Sequence, residues 1–250
     1  MKRQSSKQSG FTLVEIAIVL VIIGLLLGGV LKGQELITSS KAKALDNDKA
    51  GLTAAFINYS DRYKAMAGDD LVVATRFTAN QCGGIACVPG NGDGLMGQAA
   101  NAFSTALTAA PAIGNVNENL KAFQHLRASG LLTAGEQHPT LPALSYFSNP
   151  RNANATRIGV QAGGYIGQIQ ASQAQVFVYQ ENIPANVATA LDSMVDDGFV
   201  NLGSYRGVDN GVAGAANTTP GASYALGASA TAVSPAPTNV ASFNLMSAMY

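Results

Sequence analysis

The run from Phe11 to Leu31, FTLVEIAIVLVIIGLLLGGVL, constrains this chain more than any other stretch. It holds about 21 residues, and at 1.5 Å per residue a helix of that length covers roughly 30 Å, the thickness of a hydrocarbon core. Its one charge is Glu15, and an ionised side chain at that depth is costly unless it finds a partner. An ordinary secretory signal has a basic start, then roughly 7 to 15 apolar residues, then a small-residue cleavage site. Here the order is reversed: the small residue, Gly10, precedes the apolar run. A cut after Gly10 removes MKRQSSKQSG and leaves the hydrophobic segment at the new N-terminus.

The stretch KQSGFTLVEIAIVLVIIGLLL closely resembles the class III signal of type IV pilins and type II secretion pseudopilins. The resemblance implies that a prepilin peptidase/N-methyltransferase cuts after Gly10 and methylates the exposed Phe11. It also implies that Glu15, the fifth mature residue, pairs with the terminal amine of a neighbouring subunit during assembly on an inner-membrane platform. The expected location is the inner membrane, single-pass, with a cytoplasmic leader and a periplasmic domain, and afterwards a pilus or pseudopilus. A plain uncleaved anchor accounts for the hydrophobicity and for Lys2, Arg3 and Lys7 on the cytoplasmic side. It accounts for neither Glu15 nor the Gly10–Phe11 junction.

Charge argues the same way. Lys and Arg number 15 and Asp and Glu 15, and loss of the leader removes three cations and no anion, so the mature chain is slightly acidic. No basic field suited to nucleic acid remains. About 200 residues follow the span, enough for one domain with its own core.

The span is expected to continue as a helix. From Leu36 onward Ile37, Leu45, Leu52, Phe56, Tyr59 and Tyr63 recur at separations built of threes and fours, with charges elsewhere, the pattern of an amphipathic helix. No proline interrupts Phe11 to Arg76. One helix of about 55 residues, roughly 80 Å long, is predicted to stop near Gly68. Gly24/Gly28 and Gly29/Gly33 have the spacing that lets helices approach closely in a membrane, or they simply loosen the helix.

The predicted organisation is a leader at 1–10, a membrane or filament-core half-helix at 11–35, and an exported domain at 36–250. The domain begins with an amphipathic half-helix at 36–67 and carries an Ala/Gly/Ser/Thr-rich segment at 210–240. The fold class is α+β, pilin-like: a long N-terminal helix on an antiparallel sheet, with inserted loops and short helices.

Several later stretches carry local signals. RYKAMAGDD, Arg62 to Asp70, resembles the turn that many larger pilin-like proteins place after the long helix; Ala67 stands where the family usually has proline, which predicts a looser turn. Cys82 and Cys87 lie on the exported side of the span and are expected to form a small disulfide loop; a zinc site would want four ligands. GNGDG, Gly90 to Gly94, reads as an Asn/Asp-Gly turn. A calcium site there could draw only on Asp69, Asp70, Asn91 and Asp93, without the bidentate Glu of an EF-hand loop. Apart from that possibility no metal or cofactor is expected.

Glu118 to Glu136 reads as a helix with Leu120, Phe123 and Leu126 on one face and Gly130 as its stop, and it resembles a further pilin-family segment. His125 within it is expected to be a surface or partly buried structural residue, since His138 is the only other histidine. Strands are predicted at Thr156–Val160, Gly164–Gln170 and Gln175–Gln180. A helix is expected to start near Pro184 and end at Asp196–Gly198. The terminal SFNLMSAMY is expected to add a strand that closes the sheet.

The chain contains no GxSxG elbow, HExxH pair or phosphate-binding GxxxxGK, motifs whose spacing places nucleophiles, zinc ligands or phosphate donors. A structural subunit is therefore expected rather than an enzyme, the alternative being a membrane-tethered periplasmic enzyme or binding protein that borrows the same anchor. A mature chain of about 240 residues is longer than many major subunits of the resembling family, which favours a minor pilin or a pseudopilin.

Overall fold

The sequence pattern becomes a helix of 51 residues, α1, from Leu13 to Tyr63, roughly 77 Å from end to end. The computed structural model describes residues 13–96, 118–133, 142–162, 176–195, 204–209 and 242–249. Among these, α1 is the one helix long and apolar enough to cross a membrane. Every residue from Leu13 to Leu31 is exposed, so the described residues supply no cover for this half of the helix.

The other half of α1 is the spine of the domain. Ala42, Leu45, Leu52, Ala55, Phe56 and Tyr59 form its buried stripe, again at helical spacing. The stripe begins later than expected: Leu36 and Ile37 stay 61% and 59% exposed, because the domain reaches the helix at Thr38, through Asn186, and first buries a residue fully at Ala42. The helix also ends earlier than the expected Gly68. Lys64 adopts a left-handed φ of 55° and donates its N–H to Ser60 O at 2.9 Å, which turns the chain off the axis one residue after Tyr63. Gly68, with φ of 97°, belongs to the turn beyond.

Short elements follow: α2 (Val73–Arg76), a 3-10 turn at Ala79–Cys82, α3 (Glu118–Ala128) and a second 3-10 turn at Pro142–Phe147. Then come β1 (Ile158–Ala162), β2 (Val176–Pro184), α4 (Ala185–Val195), β3 (Tyr205–Asp209) and β4 (Ser242–Ala248). The four strands make one antiparallel sheet in the order β1-β2-β4-β3. This is the α+β, pilin-like arrangement read from the sequence, with two differences. The terminal segment does not close an edge; β4 lies between β2 and β3. And β3, at Tyr205–Asp209, is a strand where the sequence reading predicts no element. Gly164–Gln170, the Asp196–Gly198 turn, His138 and the 210–240 segment lie outside the described residues.

The pleat of β2 sends Val176, Val178 and Gln180 to the core face, where Val176 and Val178 join Leu52, Phe56, Tyr59, Phe123 and Leu126 in one cluster. Between Gln180 and Ile183 β2 carries one more residue than β4, since Gln180 pairs with Leu245 and Ile183 with Phe243. Such a bulge shifts the alternation by one. It lets Ile183 face inward with Ala42, Leu45, Val187, Leu191 and Tyr205 in a second cluster. Three polar links fix α1 on this platform. Gln180 Nε2 donates to Leu45 O at 2.8 Å, the Tyr205 hydroxyl to Asp46 Oδ1 at 2.7 Å, and Ala153 N–H to Asp48 Oδ2 at 2.9 Å. Bidentate Arg157–Glu181 bonds of 2.6 Å join the residue just before β1 to β2.

Truncation on the two halves of the helix should therefore differ sharply. In the detergent-solubilised chain, Leu45→Ala should lower stability by about 2 to 5 kcal/mol, the usual range for a buried leucine. Ile37→Ala should stay within about 0.5 kcal/mol. Urea unfolding followed by circular dichroism checks both; equal losses would place Ile37 in the core.

Candidate functional site

The first part of the candidate site is the bare half-helix. Glu15 is exposed and lies in the first turn of α1, where the helix dipole favours a negative charge. Gly10 and Phe11 lie outside the described residues. A Cβ placed on Gly24, Gly28, Gly29 or Gly33 would meet nothing within 4 Å, so no other part of the described residues explains these glycines by close packing. What this surface can do chemically is bury apolar area against lipid or against other helices.

The second part is the turn that holds the far end of the same helix. Tyr59 donates its hydroxyl to Asp70 Oδ2 at 2.9 Å, and Arg76 Nε lies 3.1 Å from that oxygen. Asp70 Oδ1 accepts the N–H of Val72 at 3.0 Å. Arg76 also donates to Tyr63 O at 3.0 Å, a carbonyl of the last helical turn that has no partner within the helix. Burial, and then the Asp70 charge, push the Tyr59 phenol well above its ordinary range, so it remains a donor.

Asp69 faces the other way, into the GNGDG loop. Its Oδ1 accepts from Gly92 N at 2.7 Å and Asp93 N at 3.2 Å, and its Oδ2 from Gly94 N at 2.8 Å. Burial raises this carboxyl above its usual range while those N–H bonds oppose the rise. The remaining calcium candidates are likewise engaged: Asn91 Nδ2 donates to Asp93 Oδ2 at 2.7 Å, and Leu95 N to Asp93 Oδ1 at 2.8 Å. Asp69, Asp70, Asn91 and Asp93 act as caps for backbone and side-chain donors. Among the described residues no group of three or more His, Cys, Asp or Glu side chains is arranged to hold a metal.

Helix α3 supplies the wall against which both turns rest. His125 is structural, as expected, but fully buried where a surface or partly buried position was expected. Its Nδ1 accepts the N–H of Gly68 at 2.9 Å. That acceptor role leaves Nε2 to carry the proton and donate to Val88 O at 2.9 Å. Gln124 accepts from Val88 N at 2.8 Å and donates to Cys82 O at 3.3 Å, so it braces both ends of the loop that the Cys82–Cys87 disulfide closes. Glu118 Oε1 accepts from Asn91 N at 3.0 Å.

The expected loosening at Ala67 is not what the structure holds. Ala67 is fully buried, and the residues around it are fixed by His125, Asp69 and Asp70. A Cβ on Gly68 would run into Glu118 O, so glycine is required there by space as well as by φ. Sequence reasoning missed Gln124 and the Tyr59–Asp70–Arg76 group. The paired aspartates after Gly68 were a visible signal, but their division between two turns was not.

Residues 5–31 match the prokaryotic N-terminal methylation motif, the signal of type IV pilins and pseudopilins. The match contains Gly10, Phe11 and Glu15 and leaves residues 32–250 unmatched. No curated protein and no solved structure matches the chain.

The buried histidine makes stability depend on acid. Burial lowers its pKa from the ordinary 6.5 to about 4. Between those values the unfolded chain binds the proton and the folded one does not, so stability falls as pH drops through this window, by on the order of 3 kcal/mol. Urea midpoints from pH 7 to 4 should show the fall in the wild type. His125→Gln, less stable at pH 7, should lack this component; an identical slope in both would assign the acid sensitivity to other groups.

Proposed function

We propose that the chain is a structural subunit of a type IV pilus or type II secretion pseudopilus. In this reading prepilin peptidase cuts after Gly10 and methylates Phe11. The inner membrane holds the precursor with its domain in the periplasm, and the assembly platform adds it to a filament of pilin or pseudopilin subunits. A minor pilin or pseudopilin is favoured by the size of the domain, and the reading assigns the chain no catalysis. The single observation that carries it is the methylation motif lying on a helix whose apolar half is wholly uncovered. The oxidising periplasm also suits the Cys82–Cys87 bridge.

Glu15 has a defined part in this scheme. Lipid headgroups or a proton can satisfy it near the end of a membrane span. Among neighbouring apolar helices an ionised carboxylate needs a cation, and cleavage creates one in the amine of Phe11. Two unit charges at about 4 Å attract by about 4 kcal/mol at an effective dielectric near 20, comparable with the desolvation cost of a buried ion. The pair thus selects an axial register without adding much net stability.

As the only copy of the subunit, Glu15→Ala should insert into the membrane and lose its leader normally, yet sharply reduce filaments in shear fractions. Glu15→Gln should do little better, since it retains shape and loses charge. Wild-type filament yield from either variant would refute the charge pair. Retention of the wild-type chain solely in membranes, with none in shear fractions of a pilus-expressing cell, would refute the pilus branch of this reading; a failure of periplasmic cross-linking to capture it with copies of itself or other pilin-like subunits would refute the pseudopilus branch.

A further inference from the structure

Asn91 and Gly92 form a pair with its own chemistry. In an asparaginyl-glycyl sequence the following peptide nitrogen can attack the side-chain amide carbon, because glycine has no Cβ to obstruct the approach. In this fold that nitrogen is committed twice, to Asp69 Oδ1 at 2.7 Å and to Asp69 O at 3.0 Å. The target amide is itself engaged: Asn91 Nδ2 donates to Asp93 Oδ2 at 2.7 Å, and Asn91 Oδ1 accepts from Asp93 N at 3.2 Å. The N–H of Asn91 itself is bound by Glu118 at 3.0 Å. Replacing Gly92 to remove the hazard would be strained, since its φ is 75° and an added Cβ would press on Leu71.

We propose that Asn91 is a latent deamidation site, protected in the folded domain by the hold of Asp69 on the Gly92 nitrogen and released when the turn opens. In the reaction the Gly92 nitrogen bonds to Asn91 Cγ and gives up its proton, the Cγ–Nδ2 bond breaks, and ammonia leaves. Water then opens the cyclic imide at either carbonyl, which gives aspartate or isoaspartate; no oxidant or reductant takes part. The product replaces the donor that Asp93 now receives with a carboxylate, in a turn already lined by Asp69, Asp93 and Glu118. Like charges so placed repel, so a chain that has once opened and reacted does not re-form the turn.

The test follows Asn91 by peptide-mapping mass spectrometry in the full chain, in detergent micelles at neutral pH, with and without urea. Folded wild type should react at least about tenfold more slowly than unfolded, the factor that 1.4 kcal/mol represents. Asp69→Ala, kept below its own melting temperature, should react faster than folded wild type yet short of the unfolded rate, because it loses the carboxylate bond and keeps the backbone one, and Asp93→Ala should accelerate less because both Gly92 bonds survive. Equal rates in folded and unfolded wild type overturn the proposal. A slower reaction in Asp69→Ala also overturns it, since Asp69 would then be the base that promotes attack. Should Asp69→Ala not fold, hydrogen exchange of the wild-type Gly92 amide decides: protection supports the lock and its absence refutes it.

Discussion

Everything else in this structure depends on one helix that the chain covers along only half its length. Burying a large apolar side chain is worth about 1.5 to 3 kcal/mol, and from Leu13 to Leu31 none of that is realised within the chain. The half-helix is therefore stable only in lipid or against other apolar helices. From Ala42 the same backbone carries the core of the domain, with no proline or break between the two halves. A load placed on the apolar half passes directly into the packed domain.

The domain answers with polar fixtures at both ends of the covered segment. Toward the N-terminal side, Gln180, Tyr205 and the backbone of Ala153 bind Leu45, Asp46 and Asp48. At the far end, Tyr59, Asp70 and Arg76 close the helix terminus, while His125 and Gln124 tie that terminus to the disulfide loop. Buried polar groups stabilise only when satisfied, and here their partners come from segments distant in sequence. Local chain and tertiary packing must form together for the turn to exist.

That distinction explains what could be read in advance. The methylation motif is contiguous, and its match spans Gly10, Phe11 and Glu15, so it is legible by order alone. The stripe Leu45, Leu52, Phe56 and Tyr59 was visible as a period. Leu36 and Ile37 obey the same period yet lie bare, because periodicity says which face can be covered and not where the cover begins. The burial of His125 depends on Gly68 and Val88, each more than thirty residues away, and no local pattern encodes it. The central place of β4 is likewise a matter of pairing with β2 and β3 and not of sequence order. β3 was hidden by its brevity and by Gly207, a residue that weakens strand propensity.

The account rests on the apolar half-helix becoming the N-terminus of a mature subunit, and intact-mass measurement addresses that most directly. Co-expressed with a prepilin peptidase, the purified chain should lack MKRQSSKQSG and carry a single methyl group on Phe11. A chain with its leader intact, or one cut beyond Leu31 so that the apolar run is lost, would contradict it.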